Sequence, residues 1–196
     1  ARDQQVKMVS LKLSQGAKPG LGGELPGSKV TEEVAEIRGI PVGKTFLSPA
    51  GHTVFDTPEG LLEFVDLMRK ASGGKPAGFK LCVGSKREFL AVCKAMLSTD
   101  LLPDFIIVDG SEGGTGAAPQ EFEDHVGLPL TQGLTFVHNA LVGVGLRDKI
   151  AIGASGKVAA ANDVVRRLTQ GADFTNSARA MMMAGGCIQA QRCHVG

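Results

Sequence analysis

The sequence predicts an α/β fold built on a parallel sheet, and three observations carry that prediction. Strand and helix patterns alternate four times after residue 76, the signature of parallel strands joined by right-handed crossovers. Asp104–Asp109 (DFIIVD) and Lys149–Gly153 (KIAIG) are continuous apolar runs, as strands covered on both faces must be. Glycine-rich loops follow the strands, at the ends where α/β folds hold their ligands. An open doubly wound sheet and a (β/α)8 barrel of TIM type both fit this pattern. A whole barrel needs roughly 250 residues. The 196 residues here hold six of its eight strands at most, so a barrel would be incomplete.

The elements follow in order. Val6–Leu13 alternates partially and reads as a strand. A polar, glycine-rich loop, Ser14–Gly23, follows it, then a turn-rich stretch with one short helix over Thr31–Ile37 and a short strand over Lys44–Ser48. Asp56-Thr57-Pro58-Glu59 opens a helix: a capping residue, proline in the first turn, and an acid near the positive helix end. Gly73-Gly74 ends it. Ala77–Val83 is the next strand, and Ser85-Lys86-Arg87-Glu88 has capping-box spacing for a helix running to about Leu97. After the strand 104–109 and its loop, Gly110–Pro119, a helix covers Gly133–Val144. Strand 149–153 leads through Ala154-Ser155-Gly156-Lys157 into a helix that Gly171 stops. A short strand over Asp173–Ser177 and a helix from about Ala180 complete the chain.

Composition excludes several classes of function. The net charge is +1, which offers no bulk attraction to nucleic acid or to an anionic membrane. Trp and Tyr are absent, removing the usual base-stacking platforms. No apolar run reaches the roughly 18 residues of a membrane span, and Ala1–Gln5 carries no hydrophobic signal core. Four cysteines are too few for a disulfide scaffold and fit reduced thiols in a cytoplasm. Gly is 27 of 196 residues, about twice the ordinary share of roughly 7%, without any repeat. That density points to tight turns and to backbone lying close against a ligand.

Five stretches are candidates for chemistry. Gly153–Lys157 lies between a strand and a helix, and Asn176–Arg179 follows the next strand. In a barrel, the loops after the last two strands bind phosphate through backbone amides and a helix dipole; otherwise these glycines only form turns. Gly110-Ser111-Glu112-Gly113-Gly114-Thr115-Gly116 lacks Walker A spacing. It suits either backbone packed on a flat ring or a flexible surface loop. Lys80 shares a strand face with Gly78 and Cys82, and an ammonium placed inside needs an anionic partner. That partner is either Asp109, in an interior salt bridge, or a bound anionic ligand. Lys12, Gln15 and Lys18 place two cations and an amide within seven residues, which suits a dicarboxylate or phosphate, or a solvated loop. Cys187 and Cys193 have five residues between them, more than zinc sites favour, and His194 adjoins Cys193; spacing alone reads them as free thiols.

In this order, LKLSQGAKPGLGGELPGSKV, FKLCVGS, IIVDGSEGGTGAAP, IGASGKV and GCIQAQRCH resemble the FMN-binding domain of glutamate synthases, and more so the shorter proteins of that family. The resemblance runs from about residue 6 to 196. It implies the C-terminal part of a single FMN-binding barrel domain across the chain. It also implies a reaction in which 2-iminoglutarate, formed from 2-oxoglutarate and ammonia, is reduced to L-glutamate. Ammonia comes from a separate glutaminase domain. Electrons come from an electron-donor protein or domain, NADPH or ferredoxin being the source, and reach the flavin through an iron–sulfur cluster. Carried over by motif, Lys80, Gly113, Gly114 and Thr115 lie beside the flavin. Ser155, Gly156 and Lys157 form one phosphate loop, and Ser177, Ala178 and Arg179 the other. Lys12, Gln15 and Lys18 face the substrate. Cys187 and Cys193 match the first two ligands of a three-cysteine [3Fe-4S] site, whose third falls beyond residue 196.

Two alternatives stand beside this reading. One is another FMN-dependent barrel oxidoreductase. The loop 113–116 has no cysteine for inosine-monophosphate dehydrogenase chemistry, and His138, inside a predicted helix, suits a hydroxy-acid oxidase poorly. The other is a non-catalytic flavin-binding or assembly module. A part-barrel leaves sheet edges and one core face open, so self-association or a barrel-completing segment is expected.

Overall fold

The computed structural model describes residues 3–112 and 118–190. β1 (Val9–Lys12) is followed by an excursion in which β2 (Glu24–Leu25) and β3 (Phe46–Leu47) pair antiparallel around α1 (Glu32–Arg38). Regular alternation then begins: α2 (Pro58–Ala71), β4 (Ala77–Leu81), α3 (Lys86–Thr99), β5 (Phe105–Asp109), α4 (Leu130–Gly143), β6 (Ala151–Ser155), α5 (Ala161–Thr169), β7 (Phe174–Asn176), α6 (Arg179–Ala184) and α7 (Cys187–Ala190). The hydroxyls of Thr31, Thr57 and Ser85 accept amides from the first turns of α1, α2 and α3. α4 starts three residues before the expected Gly133, because Glu112, distant in sequence, caps it.

β1, β4, β5, β6 and β7 form one parallel sheet in that order. The order never reverses, so the sheet has no switch point of the doubly wound kind. The architecture is that of a (β/α) barrel wall, and it is not closed: β1 and β7 are the sheet's edges, with five parallel strands among the described residues.

Strand alternation divides the sheet into two unlike faces. Ala77 and Phe79, Ile106 and Val108, and Ile152 and Ala154 pack under α2, α3 and α4. Leu61, Leu62 and Val65 of α2, Phe89, Cys93 and Met96 of α3, and Leu130, Leu134, Val137 and Leu141 of α4 complete that core. The other face carries Lys12, Lys80, Ile107 and Gly153 in one row, with Asp109, Ser155 and Asn176 in the row nearer the strand C-termini. Its lower part is filled by Phe105 and Phe174, whose rings meet edge to face at 6.4 Å. Gly153 makes room for them, since a Cβ there would stand 2.5 Å from the Phe174 ring.

One device recurs at the strand N-termini. Asp104, just before β5, accepts the first amide of β4 (Ala77 N, 2.7 Å), and the Arg69 guanidinium of α2 grips it at 3.0 Å. Asp173, just before β7, accepts Ile152 N of β6 at 2.7 Å. Arg147 holds both its oxygens at 2.8 and 2.9 Å, and also reaches the Ile150 and Gly171 carbonyls and His138 Nδ1. These latches fix strand register at the end remote from the glycine-rich loops. Replacing Asp173 with Ala leaves Arg147 without its carboxylate and Ile152 N without its acceptor. The expected loss is on the order of 2 kcal/mol, read as a lower urea midpoint, with Asp173→Asn losing less.

Candidate functional site

The C-terminal ends of the strands open into two adjoining cavities. The first, about 420 Å³, is walled by Gln15 and Ala17 from the first loop, Lys80 from β4, Asp109, Gly110 and Glu112 from the β5 end, Ser155 to Ala159, and Asn176, Ala178 to Ala180 and Met183. The second, about 460 Å³, lies between Lys12, Gln15 and Lys18 on one side and Ser48–Thr53 on the other. Both fall within the roughly 300–1,000 Å³ usual for small-molecule sites. Gln15 lines both.

The two late loops are neighbours on the same side of the sheet. Ser155 pairs with Asn176 in register, and the Ser177 hydroxyl donates to the Val158 carbonyl at 2.8 Å. Ser155, Gly156, Lys157, Ala178 and Arg179 all line the first cavity. Ser177 does not; its hydroxyl is spent tying one loop to the other. Gly156 sits at φ +140°, where side chains are strained, and Lys157, at φ +48°, completes the turn. Asp163 was not anticipated: its carboxylate accepts Ala159 N and Ala160 N at 3.1 and 3.0 Å, and those two bonds hold its pKa below the ordinary range. The start of α5 is therefore occupied by its own aspartate, and the loop's open stretch is narrowed to Ser155–Val158.

Lys80 pairs with Asp109 at 3.2 Å, the interior salt bridge considered for it, and still lines the first cavity. Asp109 has a second role the sequence did not signal: its other oxygen accepts Gly16 N at 2.8 Å. The contact is possible because Gly16 lies flat on Gly110; a Cβ at Gly16 would fall 1.6 Å from the Gly110 oxygen. Ser14 adds a further tie, accepting Cys82 N at 2.8 Å. Glu112, also missed, lines the first cavity and accepts the first amide of α4, Leu130 N, on its carboxylate at 2.8 Å.

Lys12, Gln15 and Lys18 are brought together, but around the second cavity rather than wholly inside the first. Lys12 Nζ donates to Gln15 Oε1, while Lys18, buried, donates to the Gly22 carbonyl at 3.3 Å. Partial burial holds the Lys12 pKa below the ordinary lysine value; the Lys80 and Lys18 charges push the same way and Asp109 opposes them. His52 Nε2 lies 3.0 Å from the Lys12 carbonyl, closing the wall.

Gly113, Gly114, Thr115 and Cys193 lie outside the described residues. Cys187 is half-exposed at the start of α7. Among the described residues no group of three His, Cys, Asp or Glu side chains is placed to hold a metal ion, and no helix is long and apolar enough to cross a membrane.

The conserved region of glutamate synthase, as a family profile, matches residues 3–196. The chain belongs to the glutamate synthase family. A glutamate synthase large subunit-like protein of Bacillus subtilis is 44% identical over 99% of the chain and 37% of its own length. An archaeal NADPH glutamate synthase of Methanocaldococcus jannaschii is 38% identical over 96% of the chain and 36% of its own. The NADPH glutamate synthase large chain of Bacillus subtilis is 34% identical over 95% of the chain and 12% of its own. The chain thus spans little more than a third, or less, of these glutamate synthase relatives. A flavocytochrome b2 mutant with pyruvate bound is a looser likeness, with TM-score 0.47 and 16% identity over 92% of this chain and 37% of that one.

Two thiols beneath the site are predicted to be inert. Burial, reinforced for Cys82 by the charges of Asp109 and Glu112, pushes Cys82 and Cys93 each up to about 11. Iodoacetamide at pH 8 is expected to spare both in the native protein and to label both in denaturant. Since folding raises these pKa values from about 9 to about 11, the unfolded chain releases the thiol protons first. Their contribution to stability is complete below pH 9 and is lost between pH 9 and 11, which a urea series across that range reads directly.

Proposed function

We propose that this member of the glutamate synthase family is an FMN-dependent oxidoreductase that reduces 2-iminoglutarate, formed from 2-oxoglutarate and ammonia, to L-glutamate. One observation carries the reading: four segments far apart in sequence converge with Lys80 on a single cavity at the strand C-termini.

The residues present suit FMN. Around the two cavities stand five cations, Lys12, Lys18, Lys80, Lys157 and Arg179, against two carboxylates, Asp109 and Glu112. Both carboxylates are engaged by backbone amides. The excess is positive although the chain carries only +1. Ser155, Gly156, Lys157, Ala178 and Arg179 would hold the phosphate, with open backbone and two cations at the rim. Lys80 would hold the ring's anionic edge, a flavin's N1/C2=O region. Bound FMN supplies two-electron transfer to the imine; positioning and charge come from the protein. Lys12, Gln15 and Lys18 would orient the substrate's carboxylates from the adjoining cavity, charge-assisted donors being suited to bidentate acceptors. Electrons would come from a donor protein or domain, and a soluble cytoplasmic setting suits this chemistry. Cys187 with Cys193 would contribute to an iron–sulfur site. The described residues supply one of its ligands, so no step is assigned to it.

The full-length protein should be yellow as purified, or should quench FMN fluorescence on titration, and should consume 2-oxoglutarate with ammonia in preference to a panel of 2-hydroxy acids. Arg179→Ala and Lys80→Met should each weaken FMN binding about tenfold or more, a loss of roughly 1.4 kcal/mol. A full-length protein that neither carries nor binds flavin would overturn the proposal.

A further inference from the structure

The two oxygens of Asp109 do different things. One meets the Lys80 ammonium at 3.2 Å, and the other takes the Gly16 amide at 2.8 Å, across 93 residues of sequence. The loop held in this way is the wall common to both cavities: Gln15 lines each of them, Ala17 the first, and Ser14 and Lys18 the second. Its seat is tight, with Gly16 and Ala17 buried and Gly16 pressed on the Gly110 backbone. The Asp109 side chain is 14% exposed and that of Lys80 27%, so this is a half-buried pair at the floor of the cavity.

We propose that Asp109 is a positioning residue: a single carboxylate that docks the 14–18 loop onto the sheet and aims Lys80 into the first cavity, so that the shape of the site and the placement of its cation are set together. The proposal rests on the ligand reading above only for its second half. Docking of the loop is a property of the protein without ligand. An anionic ligand competes with Asp109 for Lys80, while the Gly16 bond needs only an acceptor oxygen and no charge. The two halves therefore separate by substitution. Asp109→Asn keeps an oxygen for Gly16 and removes the competing charge. Asp109→Val removes both, at similar volume. Lys80→Met removes the cation and leaves the Gly16 bond. Gly16→Ala breaks the seat from the other side.

The experiment is hydrogen exchange over residues 14–18 in the full-length protein without added ligand, followed by FMN titration of the same samples. Exchange at 14–18 should stay slow in wild type, Asp109→Asn and Lys80→Met, and should rise at least tenfold in Asp109→Val and Gly16→Ala, with exchange in β5 and β6 unchanged. In the titration, Asp109→Asn should bind FMN as tightly as wild type or severalfold tighter. Asp109→Val and Gly16→Ala should each bind about tenfold more weakly. Unchanged exchange in Asp109→Val overturns the docking role, and so does loss of protection in Lys80→Met. FMN affinity equal to that of wild type in the folded Asp109→Val and Gly16→Ala variants overturns the link between docking and the site. Should Asp109→Val fail to fold, Gly16→Ala and Asp109→Asn still decide the first point: fast exchange in Asp109→Asn overturns it. Wild type that binds no flavin defeats the functional proposal, while the exchange data still decide the latch.

Discussion

Every helix that follows a strand of this sheet must cover the same face, because the strand order never reverses. That constraint makes the two sheet faces chemically unlike. Under the helices the strands present Ala77, Phe79, Ile106, Val108, Ile152 and Ala154 and join one apolar core. On the other face the same strands present Lys80, Asp109 and Ser155. A strand read only as an apolar run thus conceals a polar register. β5 is the clearest case: four buried apolar residues end in an aspartate that alternation places inside, one row beyond Ile107 toward the strand end.

The length of the strand divides two kinds of work. At the N-terminal ends, Asp104 with Arg69 and Asp173 with Arg147 clasp the amides of the neighbouring strands. These bonds set register and touch neither cavity. At the C-terminal ends, Asp109 and Glu112 also clasp amides, but those of Gly16 and Leu130, which belong to a loop and to a helix start. The chemistry is the same, a carboxylate on a backbone N–H. What differs is the thing held: a strand that must not slip in one case, the wall of a site in the other.

Much of the fold was legible in the sequence because its signals are local. Thr57-Pro58 and Ser85 announce their helices through hydroxyls that meet amides three residues on, and the run ending at Asp109 is a strand on hydrophobicity alone. The strand expected over 149–153 lies two residues later, at 151–155, because a short 3-10 turn takes Arg147–Lys149. Strand order was not local: the alternation alone fitted a doubly wound sheet or a barrel, and the family resemblance chose the barrel. The candidate site was legible in part. The two late loops and Lys80 stood out because glycines and an ammonium in apolar surroundings are conspicuous. Asp109's hold on Gly16, Glu112's cap on α4 and Asp163's on α5 were not legible as such. An acid beside glycines reads as a solvated loop until the distant amide that it meets is known. The same holds for Ser177, whose hydroxyl faces its sister loop rather than a ligand.

The high glycine content acquires a specific cause in this light. At Gly16 and Gly153 the backbone lies where a β-carbon would collide with a carbonyl or an aromatic ring. The first collision would lift the loop that separates the two cavities, and the second would spread β6 from β7. Glycine there is a requirement of packing rather than of flexibility, because carboxylates and close contacts hold the adjoining backbone in place. The two cavities are therefore framed by packed backbone at Gly16 and Gly153 and lined by more cations than carboxylates. On the function proposed above, an anionic ligand would meet donors already in position, which would lower the entropic cost of binding.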